Sequence, residues 1–310
     1  MRIASLDIGT NTCNISICDY VNGNTDFIFR DKKVVALIDE NFVNNTISDE
    51  AIKRLVKVLN ECKIIINEYK CDSIIACATS GIREAANKDQ IIDIAYSNTG
   101  IKINVIDGNK EAELVWQAVK FAVPIEENPV IIIDIGGGSI EFCIADNKNL
   151  INKYSYKIGI ARLLRTFNYN DPLTPEDINS IRAVVTNTIY EFFEEARKFN
   201  PEILIGASGS FETFSNLVKY ECDECFIFEG SRFNLIPLDY FLSVYQKLVS
   251  YDLIQRKNMP GMEIMRVKMM PIAAVITMLV IEKLKISKLF QSNFSIKEGI
   301  ILDFIEGFKV

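Results

Sequence analysis

The feature that most restricts how this chain can fold is an internal echo. Ile3-Ala4-Ser5-Leu6-Asp7-Ile8-Gly9-Thr10-Asn11 is answered by Ile131-Ile132-Ile133-Asp134-Ile135-Gly136-Gly137-Gly138-Ser139. Each reads as an apolar strand, an Asp-x-Gly turn and a return strand, at Cys13–Cys18 after the first and Ile140–Ala145 after the second. One such hairpin means little, because Asp and Gly are ordinary turn residues. Two of them about a domain length apart point to a duplicated lobe whose turns face each other across a cleft. The 310 residues suffice for two domains.

The flanking pattern agrees. Strand-like runs at Arg2–Leu6, Phe27–Arg30, Ser73–Ala78 and Lys102–Val105 alternate with helical periodicity at Asp49–Tyr69, Arg83–Tyr96 and Lys110–Ala122. After a connector at Glu126–Pro129 the reading restarts, with strands at Val130–Asp134, Ile140–Ala145 and Lys153–Ile158. A long helix follows at Thr174–Phe199, then a buried strand at Glu202–Gly206 leading into another helix, and from Leu238 onward a mostly helical remainder with Met262–Ile281 and Ile296–Phe308 as its clearest segments. The expected class is α/β, with one lobe over residues 1–125, a second over 126–310, and a helical C-terminal part. The last helix, about 296–308, is a candidate to pack back on the first lobe.

Composition narrows the chemistry. There is no histidine, which excludes His-dependent triads and leaves carboxylates, lysines, hydroxyls and backbone dipoles. A net charge of −7 disfavours a general nucleic-acid binder, which wants a basic face. A cleft lined by amides and a few cations can still be locally positive for an anionic substrate. The eight cysteines read as reduced core thiols without disulfides, and Cys222-x-x-Cys225 has no second pair or histidine with which to build a zinc site. The longest apolar run, Pro271–Ile281, falls short of the roughly 20 residues that span a bilayer. No signal-peptide block opens the chain, so the expected location is the cytoplasm, without membrane contact.

The strand–Asp-x-Gly–strand unit sets a carboxylate at a strand end beside several N–H groups that glycine leaves open to an anion. On that reading Asp134 holds a metal, with Asp7 facing it and Glu141 nearby. It is neither a Walker loop nor a dinucleotide fingerprint, because no Gly-Lys-Ser/Thr follows and the chain continues as a strand. Gly206-Ala207-Ser208-Gly209-Ser210, before a helix at Phe211–Tyr220, is either a βα turn with a Ser cap or a third glycine-rich loop contacting a phosphate. Within Ala78-Thr79-Ser80-Gly81-Ile82-Arg83-Glu84-Ala85, Arg83 opposes the helix dipole unless an anion or carboxylate is close. A surface pair with Glu84 or Asp89 is the plainer alternative. Glu111 in a first helical turn needs no function, and Ser295 with Glu298 makes a capping box. An interior helix glycine such as Gly299 costs about 1 kcal/mol relative to alanine, which suggests close backbone packing or ligand approach, with Lys297 beside it.

Taken together these motifs resemble the exopolyphosphatase and guanosine pentaphosphate phosphohydrolase family, within the larger actin-like ATPase and sugar kinase fold. The carriers are Asp7–Thr12, Ala78–Ala85, Glu111-Ala112, Asp134–Glu141, Gly159-Ile160-Ala161-Arg162-Leu163, Ser208–Ser210, Arg266 and Lys297-Glu298-Gly299. The resemblance implies two actin-like, ribonuclease H-like lobes and hydrolysis of terminal phosphoanhydride bonds of inorganic polyphosphate. Guanosine pentaphosphate hydrolysis, an actin-like kinase or ATPase, and a non-catalytic nucleotide-binding scaffold are the alternatives. It implies that Glu111 is the catalytic carboxylate activating water and that Asp134, counted with it in catalysis, is the principal Mg²⁺-binding acid; Glu141 and Asp7 are the further metal-binding candidates from the strand-end reading. Phosphate contacts fall to Asp7, Thr10, Asn11, Thr12, Arg83, Gly136, Gly137, Gly138, Ser139, Ser208, Gly209, Ser210 and Lys297. Polyphosphate or guanosine penta- or tetraphosphate is the implied partner, and a homodimer the implied assembly. The chain departs from the commoner pattern at Lys110, where a second acid often precedes the Glu, at Ile140 for Thr, and at Thr12 for Ser.

Overall fold

In the computed structural model, which describes residues 1–38, 44–222 and 232–307, the chain divides into two compact units. These are Met1–Leu114 with Ile296–Val310, and Val115–Ser295. The division falls inside one helix, Gly108–Ala122.

In the first unit, β1 (Arg2–Ile8), β2 (Thr12–Val21) and β3 (Asn24–Val34) form an antiparallel meander. Next come α1 (Asp49–Glu68), β4 (Ser73–Ala78), the single turn α2 (Ser80–Arg83), α3 (Lys88–Thr99), β5 (Ile103–Val105) and α4 (Gly108–Ala122). β4 and β5 add parallel to β1, giving the order β3-β2-β1-β4-β5. β1 is central and buried over Ile3–Ile8, which is why its sequence is apolar with few interruptions. One sheet face packs Leu6, Ile8, Ile15 and Ile17 against Leu55 and Leu59 of α1. On another cluster Ile3 and Cys18 meet Ile301 and Ile305 of the C-terminal helix. Ser48 caps α1 by accepting from the Ala51 N–H at 3.2 Å.

The second unit repeats the plan. β6 (Val130–Ile135), β7 (Ile140–Ala145) and β8 (Leu150–Tyr156) form the meander. They are followed by α5 (Ile160–Thr166), α6 (Pro175–Thr188), α7 (Tyr190–Arg197), β9 (Ile203–Ala207) and α8 (Ser208–Glu221). Then come β10 (Phe233–Ile236), α9 (Leu238–Ser250), α10 (Leu253–Lys257), α11 (Met270–Leu284), β11 (Lys288–Ser292) and, returning to the first unit, α12 (Ile296–Glu306). The sheet order is β10-β11-β9-β6-β7-β8, with β9 and β11 parallel to β6. Its core stacks Phe142 on Phe192 at 4.2 Å between ring centroids, with Phe211, Phe214 and Phe241 in edge contacts. Two α/β units, each a sheet begun by a three-stranded antiparallel meander, repeat along the chain as the echoed hairpins called for.

Several elements differ from the sequence reading. The long helix expected at Thr174–Phe199 is two helices, broken at Ile189 between α6 and α7. The helix expected from Arg83 begins as the short α2 and resumes at Lys88, and α8 starts at Ser208 instead of Phe211. Strand β11 lies within the stretch from Leu238 onward read as mostly helical, and β10, just before that stretch, falls where the sequence reading places no element; both are short and lean on neighbouring strands more than on their own pattern. Phe308 and Cys225 lie outside the described residues. Cys222 is disulfide-bonded, correcting the expectation of no disulfides, while Cys13, Cys18, Cys62, Cys71, Cys77 and Cys143 are free. Among the described residues no helix is long and apolar enough to cross a membrane.

Candidate functional site

In the first unit the strand-end carboxylate Asp7 sits opposite Asn14 of β2, whose Nδ2 donates to Asp7 Oδ2 at 2.9 Å. Burial pushes the Asp7 carboxyl up to about 6, against the pull of the Asn14 bond and the Lys297 charge, with Glu298 adding to the rise. Lys297 stands in the first turn of α12, its main chain anchored by Ser5 Oγ, which donates to the Lys297 carbonyl at 2.6 Å. Its ammonium lies 3.3 Å from Glu298, and fully buried Glu298 also takes the Arg30 guanidinium at 2.8 Å. The capping-box acid is therefore a buried carboxylate between exposed Arg30 and part-buried Lys297, and the Lys297 charge acts on Asp7.

The Asp-x-Gly turn is closed by the Gly9 N–H donating to Thr12 O at 2.8 Å. The segment after β4 packs on it: the Thr79 N–H donates to Ile8 O at 3.1 Å, and a Cβ at Gly81 would stand 3.0 Å from Thr10 Cα. Between them Ser80 is buried, and its hydroxyl has no hydrogen-bond partner among the described residues.

Arg83 ends α2, where a cation suits the helix dipole, so the unfavourable first-turn placement expected from the sequence does not arise. Its guanidinium donates to Ile106 O at 3.0 Å and to Glu84 at 3.2 Å, and ion-pairs with Glu111. Both readings of Arg83 hold in part: it has the surface pair with Glu84 and it also meets a carboxylate. Glu111 lies in the first turn of α4 and is 3% exposed. At Gly299 the backbone of α12 touches α4, since a Cβ there would lie 2.1 Å from Leu114 O. Close packing accounts for the glycine. Beside Glu111, Lys110 bonds Asp303 of α12 at 2.7 Å.

The second unit carries the same kinds of parts. Asp134 on β6 is directly opposite Glu141 on β7 and beside Ala207 on β9, and the Ser208 hydroxyl donates to it. Asp134 and Glu141 are 4% and 3% exposed, and Ser155 of β8 donates to Glu141 at 2.8 Å. The glycine loop is closed by the Gly136 N–H to Ser139 O at 3.0 Å. Its carbonyls are held from one side: Ile160 N–H to Gly136 O at 3.0 Å, Arg162 N–H to Gly137 O at 3.2 Å, and Gly159 N–H to Gly138 O at 3.3 Å. A trans peptide points its C=O and N–H in opposite directions. The N–H groups of Gly137, Gly138 and Ser139 therefore face away from the 159–162 segment. Ser208 takes a left-handed φ of 61°, Ser210 Oγ donates to Ile135 O at 3.3 Å, and the Arg266 guanidinium lies over Gly209, 1.8 Å from where a Cβ would stand.

Within its own unit, each expected residue falls on a turn, near a strand end or in the first or last turn of a helix. Asp7, Thr10–Thr12, Arg83, Glu111 and Lys297 belong to the first, and Asp134, Gly136–Ser139, Glu141 and Ser208–Ser210 to the second. Among the described residues no three or more His, Cys, Asp or Glu gather as a ready-made metal cage. Reading the sequence missed Asn14, although it follows Asp7 by the same seven positions that separate Glu141 from Asp134, so aligning the echo one strand further would have found it. It also missed Arg30 and Ser155, which no local pattern marks.

A family model described as the Ppx/GppA phosphatase family matches residues 16–308. A bifunctional 3-dehydroquinate synthase/phosphatase of Fusobacterium nucleatum is 34% identical over 222 residues, which is 68% of this chain but only 33% of that protein. A putative exopolyphosphatase of Haemophilus influenzae is 24% identical over 309 residues, covering 100% of this chain and 93% of that one. The crystal structure of an exopolyphosphatase from Cytophaga hutchinsonii superposes with a TM-score of 0.95 at 30% identity, over 99% of this chain and 98% of that one. With the motif order, the duplicated sheet and the family match in agreement, this chain belongs to the Ppx/GppA phosphatase family.

Proposed function

We propose that the protein hydrolyses terminal phosphoanhydride bonds of inorganic polyphosphate and releases orthophosphate. The observation that carries this reading is Glu111, a buried carboxylate in the first turn of α4, held by the Arg83 guanidinium. A hydrolase of this kind needs a positioned base for water, and an ion pair keeps such a base ionised and aimed. Names borne by the Haemophilus and Cytophaga proteins point to the same substrate.

Glu111 orients the water and takes its proton as the phosphorus–oxygen bond to the leaving chain breaks. The amides of Thr10–Thr12, and in the other unit those of Gly137–Ser139, are the donors for phosphate oxygens, the Gly136 N–H being spent on Ser139 O, and Arg83 adds positive charge. Phosphoryl-transfer transition states are loose, so fixed donors and positioning supply most of the acceleration. Asp134 and Glu141 fit Mg²⁺, since two buried carboxylates opposed on neighbouring strands repel as like charges, and that ion is commonly held by one or two carboxylates plus substrate phosphates. When bound, Mg²⁺ would neutralise charge on the phosphates. We further read the protein as a cytoplasmic homodimer, as the family resemblance implies; light scattering measures its mass.

The test is phosphate release with Mg²⁺ from short-chain polyphosphate, long-chain polyphosphate, guanosine pentaphosphate and ATP, beside Glu111→Gln. Release from polyphosphate that is lost in the variant supports the reading. Preference for guanosine pentaphosphate moves the substrate assignment, and release from none of the four overturns it.

A further inference from the structure

We propose that Arg54 of α1 is a positioning residue that sets the phosphate-binding face of the Gly9–Thr12 turn through the segment Val35–Leu37; the consequence for substrate binding rests on the function proposed above. Arg54 Nε donates to Val35 O at 3.1 Å and its Nη2 to Ala36 O at 2.7 Å. A guanidinium suits this task, because its planar fork can hold two neighbouring carbonyls at once. The same segment turns its amides to the Asp-x-Gly turn: Val35 and Ala36 N–H donate to Asn11 O at 2.9 and 3.0 Å, and the Leu37 N–H donates to Thr10 O at 2.8 Å.

The direction of these bonds decides what the turn presents. With the Thr10 and Asn11 carbonyls drawn toward residues 35–37, the N–H groups of the same two trans peptides, those of Asn11 and Thr12, point to the opposite side. The second unit orients its glycine loop by the same means, with the 159–162 segment holding the carbonyls of Gly136, Gly137 and Gly138. There the brace comes from a helix that follows the meander directly. In the first unit the brace is a stretch of coil, and Arg54 ties it to α1.

Ala36 supplies an independent sign. Its φ of 43° lies in the left-handed region, which a residue with a Cβ adopts at a cost and which persists where surrounding contacts impose it. The contacts that impose it are the Arg54 bond on its carbonyl and the Asn11 bond on its N–H. Val35 and Leu37 on either side are fully buried, so the segment cannot relax by swinging into solvent.

The experiment compares wild type, Arg54→Lys, Ala36→Val and Ala36→Gly in the full chain, by amide hydrogen exchange and by steady-state phosphate release from polyphosphate. Lysine offers a point charge in place of the fork, and a β-branched residue does not settle at positive φ. Both should speed exchange across residues 9–12 and 35–37 while β1 and α1 stay protected. Both should raise KM about tenfold, with kcat changed less than about threefold, the pattern of lost ground-state binding. Ala36→Gly, which accepts this φ freely, should keep the wild-type KM. Unaltered exchange at 9–12 in Arg54→Lys overturns the proposal. So does faster exchange with an unchanged KM, which would make Arg54 merely structural. If wild type releases no phosphate, the proposed function fails, and the exchange arm alone upholds or overturns the brace.

Discussion

Replacing Gly299 with alanine sets two effects against each other. Alanine inside a helix is worth about 1 kcal/mol over glycine by propensity, so in an open helix the change would stabilise. Here the new Cβ would stand 2.1 Å from Leu114 O, 2.7 Å from its carbonyl carbon and 3.0 Å from its Cα, all backbone atoms of α4. An ordinary carbon–oxygen contact needs about 3.3 Å, so α12 has to shift by roughly 1 Å. That shift also loosens Ile301 and Ile305 from Ile3 and Cys18. Overpacking and the lost contacts cost about 2–3 kcal/mol, and the propensity gain leaves a net loss of about 1–2 kcal/mol. For a unit of this size, the loss lowers Tm by roughly 4–8 °C. Differential scanning calorimetry measures it, with Gly307→Ala as the control. The nearest atom to a Cβ at Gly307 is Phe304 O at 3.4 Å, so this change should stay within about 0.5 kcal/mol. Because Leu114 sits on the helix that carries Glu111, the Gly299 variant should also lose kcat. An unchanged or raised Tm in Gly299→Ala would refute the reasoning, for it would mean the two backbones are not in contact.

Glu111→Gln should lower kcat by about 10²–10⁴ with KM within a few-fold, and an unchanged kcat in steady-state assays removes Glu111 as the base. Asp7 has its carboxyl raised to about 6 in the fold, so the folded state binds its proton more tightly than the unfolded one. Its ionisation therefore costs stability progressively as pH rises from about 4 to 6, by about 3 kcal/mol in all. Denaturant titrations across that range should show Asp7→Asn flattening this fall, and parallel curves would sink the assignment. A Cβ at Gly159 would lie 2.4 Å from the backbone of Gly137 and Gly138. Gly159→Ala should thus weaken inhibition by orthophosphate about tenfold, as for one lost hydrogen bond; an unchanged inhibition constant would count against the glycine loop as an anion site. The buried Ser80 hydroxyl has no partner among the described residues, so Ser80→Ala should hold or raise Tm, whereas a loss above about 1 kcal/mol would show a bond made there.

What could be read along the chain was read from features that are local. The echoed strand–Asp-x-Gly–strand needs only period-two burial and turn chemistry, both confined to a few neighbours. It located Asp7 and Asp134, the two glycine turns and, with them, the α/β plan of each unit. The break at Ile189 and the short strands β10 and β11 stayed hidden, because packing against other elements overrides weak local preference there. The partners of the candidate residues were equally out of reach. Arg83 meets Glu111 across 28 positions, and Arg30 meets Glu298 across 268. No periodicity links such pairs; the sheet order brings them together. Sequence by itself determined which residue types stand at the turns. Tertiary structure decided which charge faces which: Glu111, an ordinary first-turn acid in the sequence, meets Arg83, and Glu298, a capping-box acid there, meets Arg30. A carboxylate in a first helical turn looks the same in every chain until packing buries it beside a particular arginine.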